Sequence, residues 1–394
     1  MRALVIGTGA AGNKAAIGLF EQQIISEEDL VLVNSTLRDI PEEYRGYGIQ
    51  LSLEQEGCGK ERDIAKEISL KALKSGRLNV KNMIKPEHQK IIIITSIEGG
   101  TGSGSSTIIA KYCKQVIGLP VEVIGFKGFE DDTRGLQNTV EWFQDLEEDY
   151  GIQVICNQKF LKAAGGNRLK AEKLANEELV NRVKLSLGTV IRDAGQNIDP
   201  ADIFKISNTT GYTTSEYLEF DEKIKSIEQF NDIIKVMLDD TKSLENESPN
   251  ATRLGVIINM NENSQNYIDY SYSVIKERMG KHIYEIFPHI QYDRSQPEFI
   301  GLIISGMKMP VEEVKAVYNK YKEESDALNN EDNFFDEIRS LRGNAKDNKF
   351  NMLKAQTNTV NENDFFNSFS NTSNDKKINN QKQNNKDKIS TSEY

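Results

Sequence analysis

The sequence predicts an α/β protein whose first half forms a doubly wound parallel sheet, followed by a smaller α+β second domain. Strand-like apolar runs alternate with helix-like segments over the first 170 residues. Four consecutive isoleucines at 91–94 indicate a strand buried on both faces, as in parallel sheets. Glycine-rich loops follow two of these runs. Together these observations favour a doubly wound sheet with ligands at the carboxyl ends of its strands.

The first half contains six predicted strands, separated by helices. The strands are predicted at residues 2–6, 29–34, 50–53, 91–94, 121–126 and 152–157. A long helical pattern then runs from Ala171 to Asp193 with apolar residues on one side, and we expect it to end at Gly195.

The second domain is predicted to begin near Gly211 and to end in a long helix. Its expected elements are helices at 224–237 and 267–279, strands at 254–259, 283–292 and 299–305, and a last helix that starts at Pro310. Beyond Asn329 the composition becomes rich in Asn, Lys, Asp, Ser and Gln, and we expect 371–394 to be disordered. The predicted units are 1–170, 171–210 as the central helix and following loop, 211–328, and 329–394.

Bulk composition narrows the function classes. The net charge of −11 disfavours nonspecific DNA binding by the body of the protein. Three widely spaced cysteines indicate reduced structural thiols, and no apolar run approaches the roughly 20 residues of a membrane helix. Because the first strand starts almost at Met1, we expect no signal peptide and a cytoplasmic protein without direct membrane contact.

The loop after the isoleucine strand predicts a phosphate-binding site. Glycine lacks a Cβ, so backbone N–H groups can approach an anion, and the following helix start adds partial positive charge. The loop is not a Walker A motif, because no Gly-Lys-[Ser/Thr] follows it. The Thr101 and Ser103 hydroxyls are candidate additional donors. The predicted phosphate-binding residues are Gly99, Gly100, Thr101, Gly102, Ser103 and Gly104.

A second glycine loop, Gly7–Gly12, follows the first strand with the pattern G-x-G-x-x-G. Taken alone it indicates a Rossmann dinucleotide site, which would make the protein a dehydrogenase. That interpretation expects an acidic residue at the end of the second strand, where this chain has Asn34. Two glycine loops on neighbouring strands fit one nucleotide with two or three phosphates better.

A polar cluster follows the long helix and contains Asn197, Asp199 and Asp202. Asn and Asp are common turn formers, so a solvated loop is one interpretation. The other is a pair of carboxylates that orient a water molecule for attack on a phosphoryl group. The residues alone leave both open.

The order of these motifs resembles the tubulin/FtsZ superfamily over roughly residues 1–210. Gly99–Gly104 matches the family signature Gly-Gly-Thr-Gly-[Ser/Thr]-Gly, and Asn197, Asp199 and Asp202 match its Asn-x-Asp-x-x-Asp. The resemblance implies a GTP/GDP site with Mg²⁺. It assigns Glu130 to the ribose, Arg134 to the phosphates, and Asn157 and Asn176 to the guanine. In the first loop it assigns nucleotide binding to Gly9, Ala10, Ala11 and Lys14.

Departures from the family pattern point to one branch of it. Glu98 stands where many members have glycine, and Glu172 where an aromatic residue commonly stacks on the base. Lys14 lies near a position where many FtsZ proteins have asparagine. The loop before Lys60 and Arg62 is less glycine-rich than in FtsZ. These features look most like the plasmid and phage tubulins of the TubZ group.

The resemblance implies a filament-forming GTPase with a site shared between subunits. Asp199 and Asp202 of one subunit would orient water at the GTP of the next, and Asn197 would position their loop. We expect segregation of plasmid or phage DNA in a bacterial cytoplasm, through a DNA-binding adaptor on a centromere-like site that grips the C-terminal tail. The alternatives are an FtsZ-like cell-division GTPase, a phage-positioning tubulin and a nonhydrolysing nucleotide-binding regulator.

Overall fold

A computed structural model describes residues 1–146, 149–192, 199–220, 224, 226–245, 250–260, 272, 274–278 and 283–339. These residues contain a ten-stranded sheet with the strand order β3-β2-β1-β4-β5-β6-β7-β10-β8-β9. The strands are β1 (Ala3–Thr8), β2 (Leu30–Asn34), β3 (Gly48–Gln50), β4 (Lys90–Ser96), β5 (Val121–Lys127), β6 (Gly151–Cys156), β7 (Gly211–Phe220), β8 (Arg253–Asn259), β9 (Glu285–Gln291) and β10 (Glu298–Met307).

Helices flank this sheet. They are α1 (Gly9–Glu21), α2 (Arg62–Lys74), α3 (Val80–Met83), α4 (Gly100–Tyr112), α5 (Thr133–Asp145), α6 (Arg168–Leu187), α7 (Pro200–Ser207), α8 (Ile227–Asp239) and α9 (Val311–Arg339). In the described part of the chain, no helix is both long enough and apolar enough to span a bilayer.

The first six strands form the parallel part of the sheet. All neighbouring pairs from β3 to β6 are parallel. Strands β1 and β4 are neighbours, and the chain winds outward from β1 in one direction and from β4 in the other. The boundary between these two strands is therefore a topological switch point. The Ile91–Ile94 side chains are fully buried, as expected for a strand covered on both faces. The predicted doubly wound sheet is confirmed.

The sheet continues into the second half with antiparallel pairing. β7 joins β6 in parallel and β10 antiparallel, and β8 pairs antiparallel with β10 and parallel with β9. Helix α6 packs against both halves. Its Ala175, Leu179 and Val183 belong to a core on the parallel sheet. Its Leu185 packs with Ile206 and residues of β8 and β10. The predicted boundaries at 170, 210 and 328 stay predictions.

The long central helix ends earlier than the sequence predicted. Gly188 adopts a left-handed backbone (φ 68°), and its N–H donates to the carbonyls of Lys184 and Leu185. This is a glycine C-cap, which stops the helix at Leu187, so the prediction of an end at Gly195 is wrong. The sequence pattern missed the cap because apolar residues continue through Val190 and Ile191.

Other elements differ by a few residues or were missed. Strand β3 ends at Gln50 rather than beginning there, and α8 starts after Ser226, whose hydroxyl caps it. Strand β7 was not predicted, because its centre, Thr213–Glu216, is polar although buried. Most of the helix predicted at 267–279, and the whole tail predicted to be disordered at 371–394, lie outside the described residues.

Candidate functional site

The two glycine loops meet at the carboxyl edge of β1 and β4. Thr8 and Thr95 are paired at the ends of these strands, and each strand leads into a helix. Gly9 has a left-handed backbone (φ 70°), and a Cβ there would lie 2.8 Å from the Gly102 nitrogen. The absence of side chains at Gly9 and Gly102 therefore lets the starts of α1 and α4 touch.

Most of the signature glycines serve packing rather than access to an anion. A Cβ on Gly102 would lie 2.7 Å from Thr95 Oγ1, and one on Gly104 would lie 2.5 Å from the Arg62 carbonyl oxygen. Only at Gly99, among the glycines of this loop, would a Cβ meet nothing within 4 Å. The expectation that absent side chains leave room for an anion holds at Gly99, whereas the others bring protein segments together.

Both helix starts have unsatisfied backbone donors. The N-cap residues are Thr8 and Gly99; neither makes a side-chain cap hydrogen bond, and neither helix has an acidic residue in its first turn. The first N–H groups of a helix have no intrahelical partner, and they carry partial positive charge. Two such ends side by side form a site suited to phosphate groups.

The predicted first-loop residues line this site unevenly. Gly9, Ala10 and Ala11 are the first three residues of α1, and both alanines are exposed. Lys14 lies one turn further on and is also exposed. Its neighbour Asn13 is buried, and its side-chain amide bonds both the N–H and the carbonyl of Val33. Asn13 thus ties α1 to β2, a structural role that the sequence analysis did not find.

The two hydroxyls predicted to meet the anion have different surroundings. Thr101 Oγ1 lies 3.0 Å from Ser35 Oγ, a residue that the sequence analysis did not select. Ser103 is fully buried, and its hydroxyl donates to the Gly99 carbonyl. The Ser103 side chain therefore faces the protein, and any contact of this residue with a nucleotide would use its backbone.

Arg62 supports the first turn of α4 through hydrogen bonds to Ser103. Its guanidinium is buried and donates to Ser103 Oγ and Ser103 O, each at 3.2 Å. Glu141 and Asp145 lie 3.2 and 2.6 Å from its nitrogens and balance its charge. The sequence showed Arg62 only as a basic residue after a loop, because its partners lie about 40 to 80 residues away.

Glu98 and Glu130 shape the loop that follows β5. The Glu98 carboxyl lies under Gly128, where a Cβ would be 2.3 Å from Glu98 Oε2. Burial raises the pKa of Glu98, although the N–H groups of Glu130 and Gly128 face it. Its Oε1 is buried and has no hydrogen-bond partner among the described residues. The Glu98 side chain therefore supports the loop after β5.

Glu130 has a left-handed backbone (φ 56°), a conformation that costs a non-glycine residue roughly 1 kcal/mol or more. Its carboxylate contacts Lys127 and Lys320. Although partial burial acts in the opposite direction, these two ammonium groups hold the pKa of Glu130 below its usual value. The carboxylate is therefore an ionised acceptor at the same edge of the sheet as the glycine loops.

The remaining predicted nucleotide contacts lie on three elements. Arg134, in the first turn of α5, pairs with Glu61 and donates to Gln137 at 2.7 Å. Asn157 directly follows β6, and its Oδ1 is buried without a hydrogen-bond partner among the described residues. Asn176 is half-buried nearly midway along α6, one turn after the half-buried Glu172. The unpaired Asn157 oxygen fits a donor from a ligand, such as a ring or exocyclic N–H of a base.

Asp199 and Asp202 form a capping box at the start of α7. Asp199 Oδ1 accepts from the Asp202 N–H at 2.9 Å, and Asp202 Oδ2 accepts from the Asp199 N–H at 3.3 Å. Asp199 is exposed and Asp202 is half-buried. The predicted third member, Asn197, lies outside the described residues.

Contacts around α7 place this carboxylate pair at the amino edge of the parallel sheet. The Met1 amino group, next to the start of β1, donates to the Leu187 carbonyl at 2.8 Å. A Cβ on the next residue, Gly188, would lie 3.0 Å from Ile203 Cγ2 of α7. The last residue of α7, Ser207, accepts from Lys90 Nζ at the start of β4. The glycine loops lie beyond the other end of these strands.

Metal binding by protein ligands alone has no candidate in the described part of the chain. There, no cluster of three or more His, Cys, Asp or Glu side chains could hold an ion. The predicted Mg²⁺ therefore stays a prediction tied to the nucleotide.

Comparison with known proteins finds similarity to one family over the first part of the chain. Residues 2–165 match the model described as Tubulin/FtsZ family, GTPase domain. Cell division protein FtsZ 1 of Methanocaldococcus jannaschii is 26% identical over 212 residues, covering 52% of this chain and 57% of that protein. Tubulin-like protein CetZ1 of Haloferax volcanii is 23% identical over 222 residues, covering 53% and 56%. The chain thus matches little more than half the length of these relatives.

Solved structures share the fold over most of the chain. The GDP-bound monomer of Haloferax volcanii CetZ1 has a TM-score of 0.65 at 20% identity, covering 82% of this chain and all of that one. A GTPγS-form protofilament of Bacillus thuringiensis serovar israelensis TubZ has a TM-score of 0.65 at 16% identity, covering 87% and 95%. Similar proteins therefore include FtsZ, CetZ and TubZ and do not single out TubZ. Over residues 2–165, less than half of the chain, the sequence is similar to the GTPase domain of the tubulin/FtsZ family.

Proposed function

We propose that this protein binds GTP, assembles head to tail into filaments and hydrolyses GTP at the contact between subunits. The observation that carries the proposal is the separation of the two motifs. The glycine loops lie at the carboxyl edge of the parallel sheet, and Asp199 and Asp202 lie at its amino edge. Because β1 has six residues, these edges are about 20 Å apart. The carboxylates can then reach a bound nucleotide only from another copy of the chain.

In this proposal the phosphates bind between the starts of α1 and α4. The first-turn N–H groups of Gly9–Ala11 and Gly100–Gly102 supply the donors. Glu130 accepts from the ribose hydroxyls, and Asn157 and Asn176 contact the guanine. Arg134 would have to exchange its partner Glu61 for a phosphate oxygen. When bound with the nucleotide, Mg²⁺ would offset phosphate charge, held mainly by phosphate oxygens and water.

For hydrolysis, α7 of the neighbouring subunit presents its carboxylates to the terminal phosphate. The capping box occupies one oxygen of each aspartate, so the other oxygens can accept hydrogen bonds from the attacking water. Asn197 would position the loop before them. Since phosphoryl transfer depends mainly on positioning and charge compensation, activity requires assembly, and hydrolysis then weakens the subunit contact.

The cellular role that we propose is segregation of plasmid or phage DNA in a bacterial cytoplasm. The sequence features that resemble TubZ support it, and so does the similarity to TubZ structures, although FtsZ and CetZ proteins match as well. The partner would be a DNA-binding adaptor that grips the tail beyond residue 339. The FtsZ-like alternative predicts a division defect on loss of the protein, whereas our proposal predicts loss of the replicon with normal division.

Purified protein with GTP tests the biochemical proposal. We expect light scattering to appear above a threshold protein concentration and hydrolysis per molecule to rise with it. Hydrolysis per molecule that is independent of protein concentration would contradict a shared site. Binding of GTP without hydrolysis at any concentration would favour the nucleotide-binding regulator, and binding of NAD in preference to GTP would favour the dehydrogenase.

A further inference from the structure

We propose that Lys320, in the C-terminal helix α9, positions Glu130 for the nucleotide sugar. This inference rests on the proposed function, because it assumes that Glu130 accepts from the ribose hydroxyls. It adds a residue 190 positions away in sequence to the nucleotide site, and it gives α9 a role in binding.

The contact is made to both the backbone and the side chain of Glu130. Lys320 Nζ donates to the Glu130 carbonyl at 3.1 Å and to Oε2 at 2.9 Å. Lys127 contacts the other carboxylate oxygen. Two cations thus fix the direction of one carboxylate, and each of its oxygens keeps lone pairs for further donors.

The position of Lys320 is itself fixed by its helix. Val317, Lys320, Tyr321 and Glu324 follow the i, i+3, i+4, i+7 spacing of one helix face. Val317 and Tyr321 pack against Leu136 and Val140 of α5. One turn further, Glu324 Oε2 accepts from Thr133 Oγ1 at 3.0 Å. The apolar contacts of Val317 and Tyr321 and the hydrogen bond of Glu324 therefore fix α9 against α5 close to Lys320.

The backbone of Glu130 makes such support necessary. A left-handed conformation is uncommon for a residue with a side chain, and it persists only where neighbouring contacts hold it. On one side of the loop the Glu98 carboxyl lies next to Gly128, and on the other Lys320 of α9 donates to the Glu130 carbonyl. Without Lys320, we expect the backbone to relax and the carboxylate to turn away from the sugar.

The test compares nucleotides that differ only in the sugar. Titration calorimetry would measure binding of GTP and of 2′,3′-dideoxyGTP to the full chain, to Lys320→Ala and to Lys320→Arg. We expect Lys320→Ala to weaken GTP binding about tenfold, the effect of losing one charge-assisted contact, and to leave dideoxyGTP binding nearly unchanged. Lys320→Arg should restore part of the GTP affinity.

Two further variants separate this role from general destabilisation. Lys315→Ala removes a lysine from the same helix that forms an ion pair with Glu312 at 2.7 Å, and this variant should bind GTP like the unaltered protein. Adding Lys320→Ala to Glu130→Ala should cause no further loss. Equal weakening for both nucleotides, or unchanged GTP binding by Lys320→Ala, would overturn the inference. Failure of the unaltered protein to bind GTP would instead overturn the proposed function on which it rests.

Discussion

At the scale of single residues, the glycine signature is a packing device as much as a binding device. Gly102 lies against Thr95 Oγ1 and the Thr8 carbonyl, so even a methyl group there would push the starts of α1 and α4 apart. The donors that we propose for phosphate binding belong to these two helix starts. The closeness of the helices is therefore a condition for binding a nucleotide between them.

Gly102→Ala should destabilise the protein by roughly 1–3 kcal/mol, the usual cost of overpacking a close contact. Gly18→Ala is the matched control, because a Cβ at Gly18, inside α1, would meet nothing within 4 Å. That change should stabilise the protein by about 0.5–1 kcal/mol, since alanine favours a helix over glycine. Urea unfolding measures both. Equal stability of Gly102→Ala and the unaltered chain would contradict the claim that close packing between the starts of α1 and α4 requires glycine at position 102.

Sequence patterns predicted residue types better than side-chain directions. The glycine loops, Asn157 and Glu130 lie at the predicted edge of the sheet, because strand order and motif position determine where loops fall. The Ser103 hydroxyl turns inward to the Gly99 carbonyl, and it accepts from Arg62, a partner 41 positions away. No local pattern indicates the contact with Arg62, so this support of the Ser103 side chain could not be predicted.

At the scale of elements, α7 combines an observed role and a proposed role in the same two side chains. Asp199 and Asp202 cap the helix, as turn-forming residues would. In the proposed function they also orient water at the nucleotide of a neighbouring subunit. The two interpretations left open by the sequence are therefore compatible. Substitution by asparagine distinguishes the capping role from the catalytic role, because asparagine caps helices as well as aspartate does but carries no charge.

Asp199→Asn and Asp202→Asn should each keep stability within about 0.5 kcal/mol, whereas Asp199→Ala should cost about 1 kcal/mol. Under the proposed function, both asparagine variants should still bind GTP and lose hydrolysis by about 100-fold or more. Thermal unfolding and phosphate release measure the two effects separately. Normal hydrolysis in both variants would leave the capping box as their whole role.

Element boundaries were predictable where apolar periodicity changed and not where a backbone conformation decided them. Strands β1, β2, β4, β5 and β6 appear near their predicted positions because each is a mainly apolar run. The end of α6 depends on the left-handed backbone of Gly188, although the apolar pattern continues past it. Strand β7 escaped detection since its buried centre is polar, with Thr214 bonded to Ser243 and Glu216 to Thr241.

At the scale of the whole molecule, the central fact is the distance between the two motifs. The sequence places both on one chain, and the resemblance to tubulins implied that they act across a subunit contact. The fold adds a physical reason, because α6 carries the chain from one edge of the sheet to the other before α7 begins. A head-to-tail contact, in which different surfaces of two copies meet, would bring the motifs together, as proposed.

Mixing two inactive variants tests this claim most directly. Ala11→Glu places a negative charge at an exposed position in the first turn of α1, which should repel phosphate while favouring the helix. Asp202→Asn should bind GTP without hydrolysing it. A mixture of Asp199→Asn with Asp202→Asn, both altered in the same half of the site, is the control and should stay inactive.

In the test mixture, the Ala11→Glu subunit offers intact aspartates to GTP held by the Asp202→Asn subunit. The measurement is phosphate release from GTP by each variant alone and by the mixture at the same total concentration. We predict that the mixture regains hydrolysis that neither variant shows alone. A mixture as inactive as its components, with GTP still bound to Asp202→Asn, would contradict a site shared between subunits.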